Sequence, residues 1–217
     1  MYTLTVDETL AYVRKALDEL ISAEEIGLLV EPDALNLRKI VEGSIIEAVV
    51  TAYSKAPASL MEGVIGVKDE DYQLGLLNGV ATITFLVPIA RLLSLRCFDS
   101  EIIMTSMVME DSAEGRKQLN KYIRGTHDEP SLVLQKVWEA DHQPRMRYYS
   151  TTEDDQDDLD FDIEYLPYPS IKDGSVEIAP RLKFAILNLI VSMVLDSYKE
   201  TALAEQYRAK AKEHMEI

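Results

Sequence analysis

The hydrophobic pattern changes period twice along this chain. Near the start, Leu10, Val13, Leu17, Leu20 and Ile21 recur at helical spacing behind Thr5 and Glu8, which form a capping box, so a helix is expected up to about Ala23. A connector with Gly27 and Pro32 leads to a second helix, about Asp33 to Ser54, with the stripe Leu37, Ile40, Val41, Ile45, Ala48, Val49 and Ala52; Pro57 ends it. The period then falls to two. Tyr72 to Leu77 and Val80 to Leu86 flank Asn78-Gly79, which suits the positive φ angles of a type I′ turn, so a hairpin is expected. Further strands are expected at Arg91–Phe98, Leu132–Trp138, Arg145–Ser150 and Phe161–Leu166, with a short helix from Ser112 to Lys121. From Pro180 to about Met215 no Gly or Pro interrupts the chain, and one helix of roughly 50 Å is expected. Its first half, Phe184 to Leu195, is apolar on nearly every side. Its second half has one stripe, Leu203, Tyr207, Ala211 and Met215, too narrow for the same core, so it is expected to project.

Strands set between helices in this order make an α+β chain rather than a βαβ repeat. The expected division is a helical lobe from both chain ends, two N-terminal helices and a long C-terminal helix (1–57 and 178–217), with a central antiparallel β insertion (58–177). The apolar run between Lys183 and Asp196 is far shorter than the ~20 residues that cross a bilayer. No membrane partner is expected.

Composition narrows the function classes. With 217 residues, 47% of them hydrophobic, the chain can bury a sizeable core. A net charge of −16 argues against a general nucleic-acid binder and against attraction to anionic membranes. The single cysteine, Cys97, excludes an internal disulfide and fits a reducing compartment. The opening MYTLTVDETL lacks the basic and apolar blocks of a Sec-type signal peptide. His127, His142 and His214 lie far apart without zinc-ligand spacing, and no nucleophile elbow, Walker loop or dinucleotide glycine pattern is present. Neither catalysis nor a cofactor or metal is expected.

Two charge groups stand out. Asp154, Asp155, Asp157 and Asp158 lie in an acidic run from Glu153 to Asp160 that lacks the glycine and oxygen spacing of a calcium loop. Arg116, Lys117, Lys121 and Arg124 form the basic counterpart, with Arg91, Arg96, Arg145 and Arg147 nearby in sequence. In an acidic protein that assembles with itself, such cations pair with a neighbouring subunit's carboxylates, so Arg116, Lys121, Arg124 and the four aspartates are inter-subunit or channel candidates.

The layout as a whole, with its Lys-Tyr-Ile-Arg-Gly-Thr loop (Lys121 to Thr126), Arg-Tyr-Tyr-Ser strand (Arg147 to Ser150) and Pro-Arg-Leu-Lys opening of the last helix (Pro180 to Lys183), resembles the head-to-tail connector proteins of tailed bacteriophages, in particular the adaptor rings of crAss-like podoviruses. That resemblance implies a non-enzymatic virion protein, assembled in the host bacterial cytoplasm. Many copies, commonly twelve, would form a ring below the portal protein, bind the next tail protein and let double-stranded DNA pass without specific contacts. An acidic lumen suits DNA that must slide. The stripe Leu203, Tyr207, Ala211 and Met215 is then the expected portal-docking element. The competing classes are a cytosolic helix-binding regulatory or chaperone-like module, which would use that same stripe, and a carboxylate hydrolase.

Overall fold

A computed structural model describes residues 1–22, 34–66, 71–98, 102–126, 128–135, 144–150 and 160–216. It is an α+β fold with mostly antiparallel sheets and helices at both chain ends. The chain divides into two compact units, Met1–Val64 with Pro169–Ile217, and Ile65–Tyr168.

The first unit is helical around one buried segment. Its helices are α1 (Val6–Ser22), α2 (Ala34–Lys55), α4 (Lys183–Ser197) and α5 (Thr201–Glu213), and a two-stranded antiparallel sheet pairs β1 (Tyr2–Thr5) with β10 (Ser175–Ile178). Because β10 pairs with β1, residues 169–177 fold with the helices. Every residue of α4 from Ala185 to Leu195 except Met193 is buried, and α1, α2 and α5 all pack on it. The polar pair on α4 is satisfied locally: Asn188 accepts from the Tyr12 hydroxyl at 3.2 Å, and Ser192 donates to the Leu189 carbonyl at 2.7 Å. At the start of α1, the Glu8 N–H donates to Thr5 Oγ1 at 3.1 Å, as a capping box requires. The Glu8 carboxylate also meets Lys183 Nζ and the Tyr2 hydroxyl, each at 2.6 Å, tying the entrance of α1 to that of α4. Burial opposes ionisation of Glu8, but those two bonds and the Lys183 charge outweigh it and hold its pKa below the usual value.

The expected single helix from Pro180 to Met215 is not formed. After a 3₁₀ turn at Pro180–Leu182, α4 stops at Ser197, where Lys199 adopts φ 65°. The Glu200 N–H then reaches the Leu195 carbonyl at 3.0 Å and the Lys199 N–H reaches that of Asp196 at 2.9 Å, the two bonds of a Schellman stop. α5 consequently folds back against α4 instead of projecting. Leu203, Tyr207, Ala211 and Met215 are all buried, at 7%, 6%, 0% and 5% exposure. The stripe is too narrow to line a core from several sides, but it is wide enough for one antiparallel neighbour.

The second unit is two sheets over one core. One sheet has the order β2 (Tyr72–Leu77), β3 (Val80–Phe85), β8 (Arg145–Tyr149), β7 (Ser131–Gln135), β6 (Val108–Met109); only the β6–β7 pair is parallel. The other has the order β5 (Ile103–Met104), β4 (Ile89–Cys97), β9 (Phe161–Pro167). The hairpin pairs Leu77 with Val80 across Asn78 (φ 53°) and Gly79 (φ 69°), a type I′ turn. Inward residues of both sheets, among them Ile83, Phe85, Leu95, Met146, Tyr148 and Ile163, form one cluster. Within it the Phe85–Tyr165 and Tyr148–Phe161 rings meet edge-on at 5.5 and 5.2 Å. Register shifts in β4 interrupt the expected alternation, so Leu92 and Leu93 are both buried. The helix expected from Ser112 to Lys121 is shorter, α3 (Ala113–Lys117), with Ser112 Oγ accepting from the Gly115 N–H at 2.9 Å as its cap. Trp138 and the four aspartates of the acidic run lie outside the described residues.

Candidate subunit interface

The segment after α3 is held to the sheet at several points and presents apolar side chains to solvent. Two glycines permit the close approach. A Cβ at Gly115 would lie 2.1 Å from the Met109 carbonyl oxygen, and one at Gly125 would lie 2.4 Å from that of Tyr149. Between them, Gln118 Oε1 accepts from the Gly125 N–H at 2.6 Å, closing the loop on itself. Asn120 shapes the tip: its Oδ1 accepts from the Tyr122 N–H at 3.1 Å, and its carbonyl accepts from the N–H groups of Ile123 and Arg124, each at 3.0 Å. Arg124, half-buried, donates from Nη2 to the Asn78 carbonyl at 3.0 Å and fastens the loop to the hairpin turn.

Tyr122 is left 83% exposed, Leu119 63% and Ile123 58%. Leu77, beside the same hairpin turn, is 72% exposed. A large aromatic ring held on a hydrogen-bonded loop loses little freedom when a partner covers it, and Tyr and Arg are residue types enriched at interface centres. Arg116, Lys117 and Lys121, next to these residues in sequence, are exposed, with Lys121 Nζ 5.2 Å from the centre of the Tyr122 ring. Among the described residues, none of Arg116, Lys117, Lys121 and Arg124 forms an ion pair. Arg147 differs, because it pairs with Glu110 of its own unit at 3.4 Å.

The sequence-predicted site residues therefore separate into three groups. Arg116, Lys121 and Arg124 lie together on this loop and its helix. Asp154, Asp155, Asp157 and Asp158 lie outside the described residues, as do His127 and His142. Leu203, Tyr207, Ala211 and Met215 are interior. Charge patterning alone had missed Leu119, Tyr122 and Ile123, although three large apolar residues interleaved with Lys and Arg between Gln118 and Gly125 were a readable signal.

The first unit has an open groove of about 800 Å³ among α2, α4 and α5, floored by Leu189, Met193, Ala209 and Met215. Five of its rim charges are engaged with one another, Arg208 with Asp196 and Glu205, and Lys212 with Glu216 at 3.4 Å. Among the described residues no group of three or more His, Cys, Asp or Glu is placed to hold a metal ion, and no helix is long and apolar enough to cross a membrane. Comparison with family models, curated proteins and solved structures finds no match.

Proposed function

We propose that the chain is a structural subunit that assembles with copies of itself into a ring, as a head-to-tail connector or adaptor between the portal and the tail of a bacteriophage. The observation that carries this reading is the Leu119–Arg124 loop: an exposed aromatic and apolar tip, rigidly built and ringed by cations, on a chain whose net charge is −16. Among the described residues these cations form no ion pair, and on an acidic chain that favours contact with the acidic surface of another copy. A contact joining two different patches is heterologous, and it closes into a ring when the rotation between copies allows. The ring would take about a dozen subunits, sit against the portal protein and the next tail protein, and line a DNA channel whose like charge keeps the duplex from sticking. No catalytic step and no cofactor belong to this role.

The buried stripe of α5 changes one part of the reading. With Leu203, Tyr207, Ala211 and Met215 interior, portal binding is assigned to exposed surfaces instead, and the helix-binding alternative loses the surface it relied on. The test is the mass of the purified chain, alone and mixed with portal protein. Closed high-order rings in either sample support the proposal. A chain that stays monomeric in both removes it.

A further inference from the structure

Asn188 breaks the apolar character of α4, and only half of its amide is used for folding. The residue is 3% exposed; its Oδ1 accepts from the Tyr12 hydroxyl, while its Nδ2 makes no hydrogen bond among the described residues. A buried amide with idle donors is costly in such a helix, where Leu would pack without that cost. Yet Nδ2 is not sealed from solvent. Asn188 lies at the base of a cavity of about 240 Å³ between α1, α4 and α5, with the buried Tyr207 beside it and Lys15, Glu19, Lys210 and Glu213 exposed at the mouth.

The lining decides what chemistry the cavity would take. Burial, with the Glu19 charge, pushes the Tyr12 pKa up, so its hydroxyl keeps the proton that it donates to Asn188 and Asn188 offers the cavity donors alone. Lys15 has Glu19 as a partner at 3.8 Å, whereas Lys210 forms no ion pair among the described residues and holds Nζ 4.2 Å from the centre of the Tyr207 ring. Amide donors at the base and an ammonium group at the mouth match a carboxylate. Glu213 at the same mouth repels a second negative group, and the Tyr207 ring gives a short apolar body a surface to lie on. The volume is below the ~300–1,000 Å³ of pockets that take drug-sized ligands, so only a small molecule is accommodated. We infer that this cavity binds a small monocarboxylic acid, with Asn188 Nδ2 donating to the carboxylate and Lys210 supplying the opposite charge. The site belongs to the first unit and is independent of the ring reading, which draws on the second.

Titrating the full chain with acetate, propionate and lactate, and separately with succinate and inorganic phosphate, all at constant ionic strength, tests the inference. Calorimetry reads binding, and the side-chain amide NMR signal of Asn188 reports where it occurs. At least one of the three monocarboxylates is expected to saturate a single site, shift that signal and raise the melting temperature. Succinate and phosphate should bind about tenfold more weakly or worse. Asn188→Leu should abolish binding in a chain that still folds, and Lys210→Met, at an exposed position, should weaken it by about tenfold or more. If Asn188→Leu does not fold, Lys210→Met decides. Three monocarboxylates without saturable binding, affinity unchanged in Lys210→Met, or phosphate bound as tightly as the best acid would each overturn the inference and leave the ring reading standing.

Discussion

The two units of this chain treat their apolar residues in opposite ways. In the first, α4 is buried from Ala185 to Leu195 except at Met193, and even the narrow stripe of α5 is folded inward, so that Tyr207 and Met215 are about as buried as the rest of the core. In the second, the core is equally dry, yet Leu74, Leu77, Leu119, Tyr122 and Ile123 stay in water at the hairpin edge and on one tethered loop. Single exposed apolar residues are ordinary, but a group held out on a loop fixed by two required glycines and an Asn-turn is not explained by folding alone. The contrast ties stability to the first unit's α5, and under the proposed function it leaves association to the second unit's exposed loop.

The largest effect should come from removing what the first unit buries. Tyr207→Ala is expected to lower stability by about 3–5 kcal/mol, and a chain cut after Thr201 should lose the first unit altogether, because the α4 face covered by α5 would be opened to water. Denaturant unfolding followed by circular dichroism reads both. A truncated chain that unfolds at the parent's midpoint would break the comparison.

Next in size is Tyr122→Ala. Removing an exposed ring should change stability by less than about 0.5 kcal/mol, while association between copies weakens by about 2 kcal/mol, roughly thirtyfold, if the ring sits at an interface centre. Sedimentation against concentration separates the two, and equal association of parent and variant would take the loop out of the interface.

A smaller effect is expected at the stop between α4 and α5. Lys199 occupies a left-handed conformation that costs a non-glycine residue about 1 kcal/mol, so Lys199→Gly should raise stability by up to about that much. Loss of stability would mean that the Lys199 side chain, rather than the turn geometry, holds α5 in place.

The smallest concerns Glu8 and Lys183. The Glu8 pKa is held below its usual 4.5 and that of Lys183 is raised above its usual 10.5 by the bond to Glu8. A depressed carboxylate contributes above its unfolded pKa and loses that contribution as pH falls through the folded value; a raised amine contributes below its unfolded pKa and loses it as pH rises through the folded value. The pair should therefore add a constant, solvent-screened increment between about pH 5 and pH 10 that fades on both sides. Glu8→Gln should flatten the acid limb of the melting-temperature profile, and an acid limb identical to the parent's would assign that limb to other carboxylates.

Much of the architecture was legible because local signals and tertiary structure agree. Asn78-Gly79 dictates a type I′ turn whatever surrounds it, and the Thr5/Glu8 spacing forms its cap. The break after α4 was not legible, because the left-handed stop is occupied by Lys199 where glycine is the usual signal, and Ser197 to Glu200 read as ordinary helix surface. From that one error followed the expectation of a projecting stripe. In the candidate interface the cations Arg116, Lys121 and Arg124 were readable as a group, whereas the exposure of Leu119, Tyr122 and Ile123 depends on contacts between Gly125 and Tyr149 and between Arg124 and Asn78, which are distant in sequence.

Self-association through the second unit is the central claim, and the most direct measurement is the mass distribution of the intact chain, with and without portal protein, at ~0.05 M and ~1 M salt, between which the screening length falls from more than ~10 Å to ~3 Å. One closed species of many subunits is expected at low salt, reduced at high salt and reduced again by Tyr122→Ala. A monomer under all four conditions, or rings indifferent to both salt and Tyr122, would contradict it.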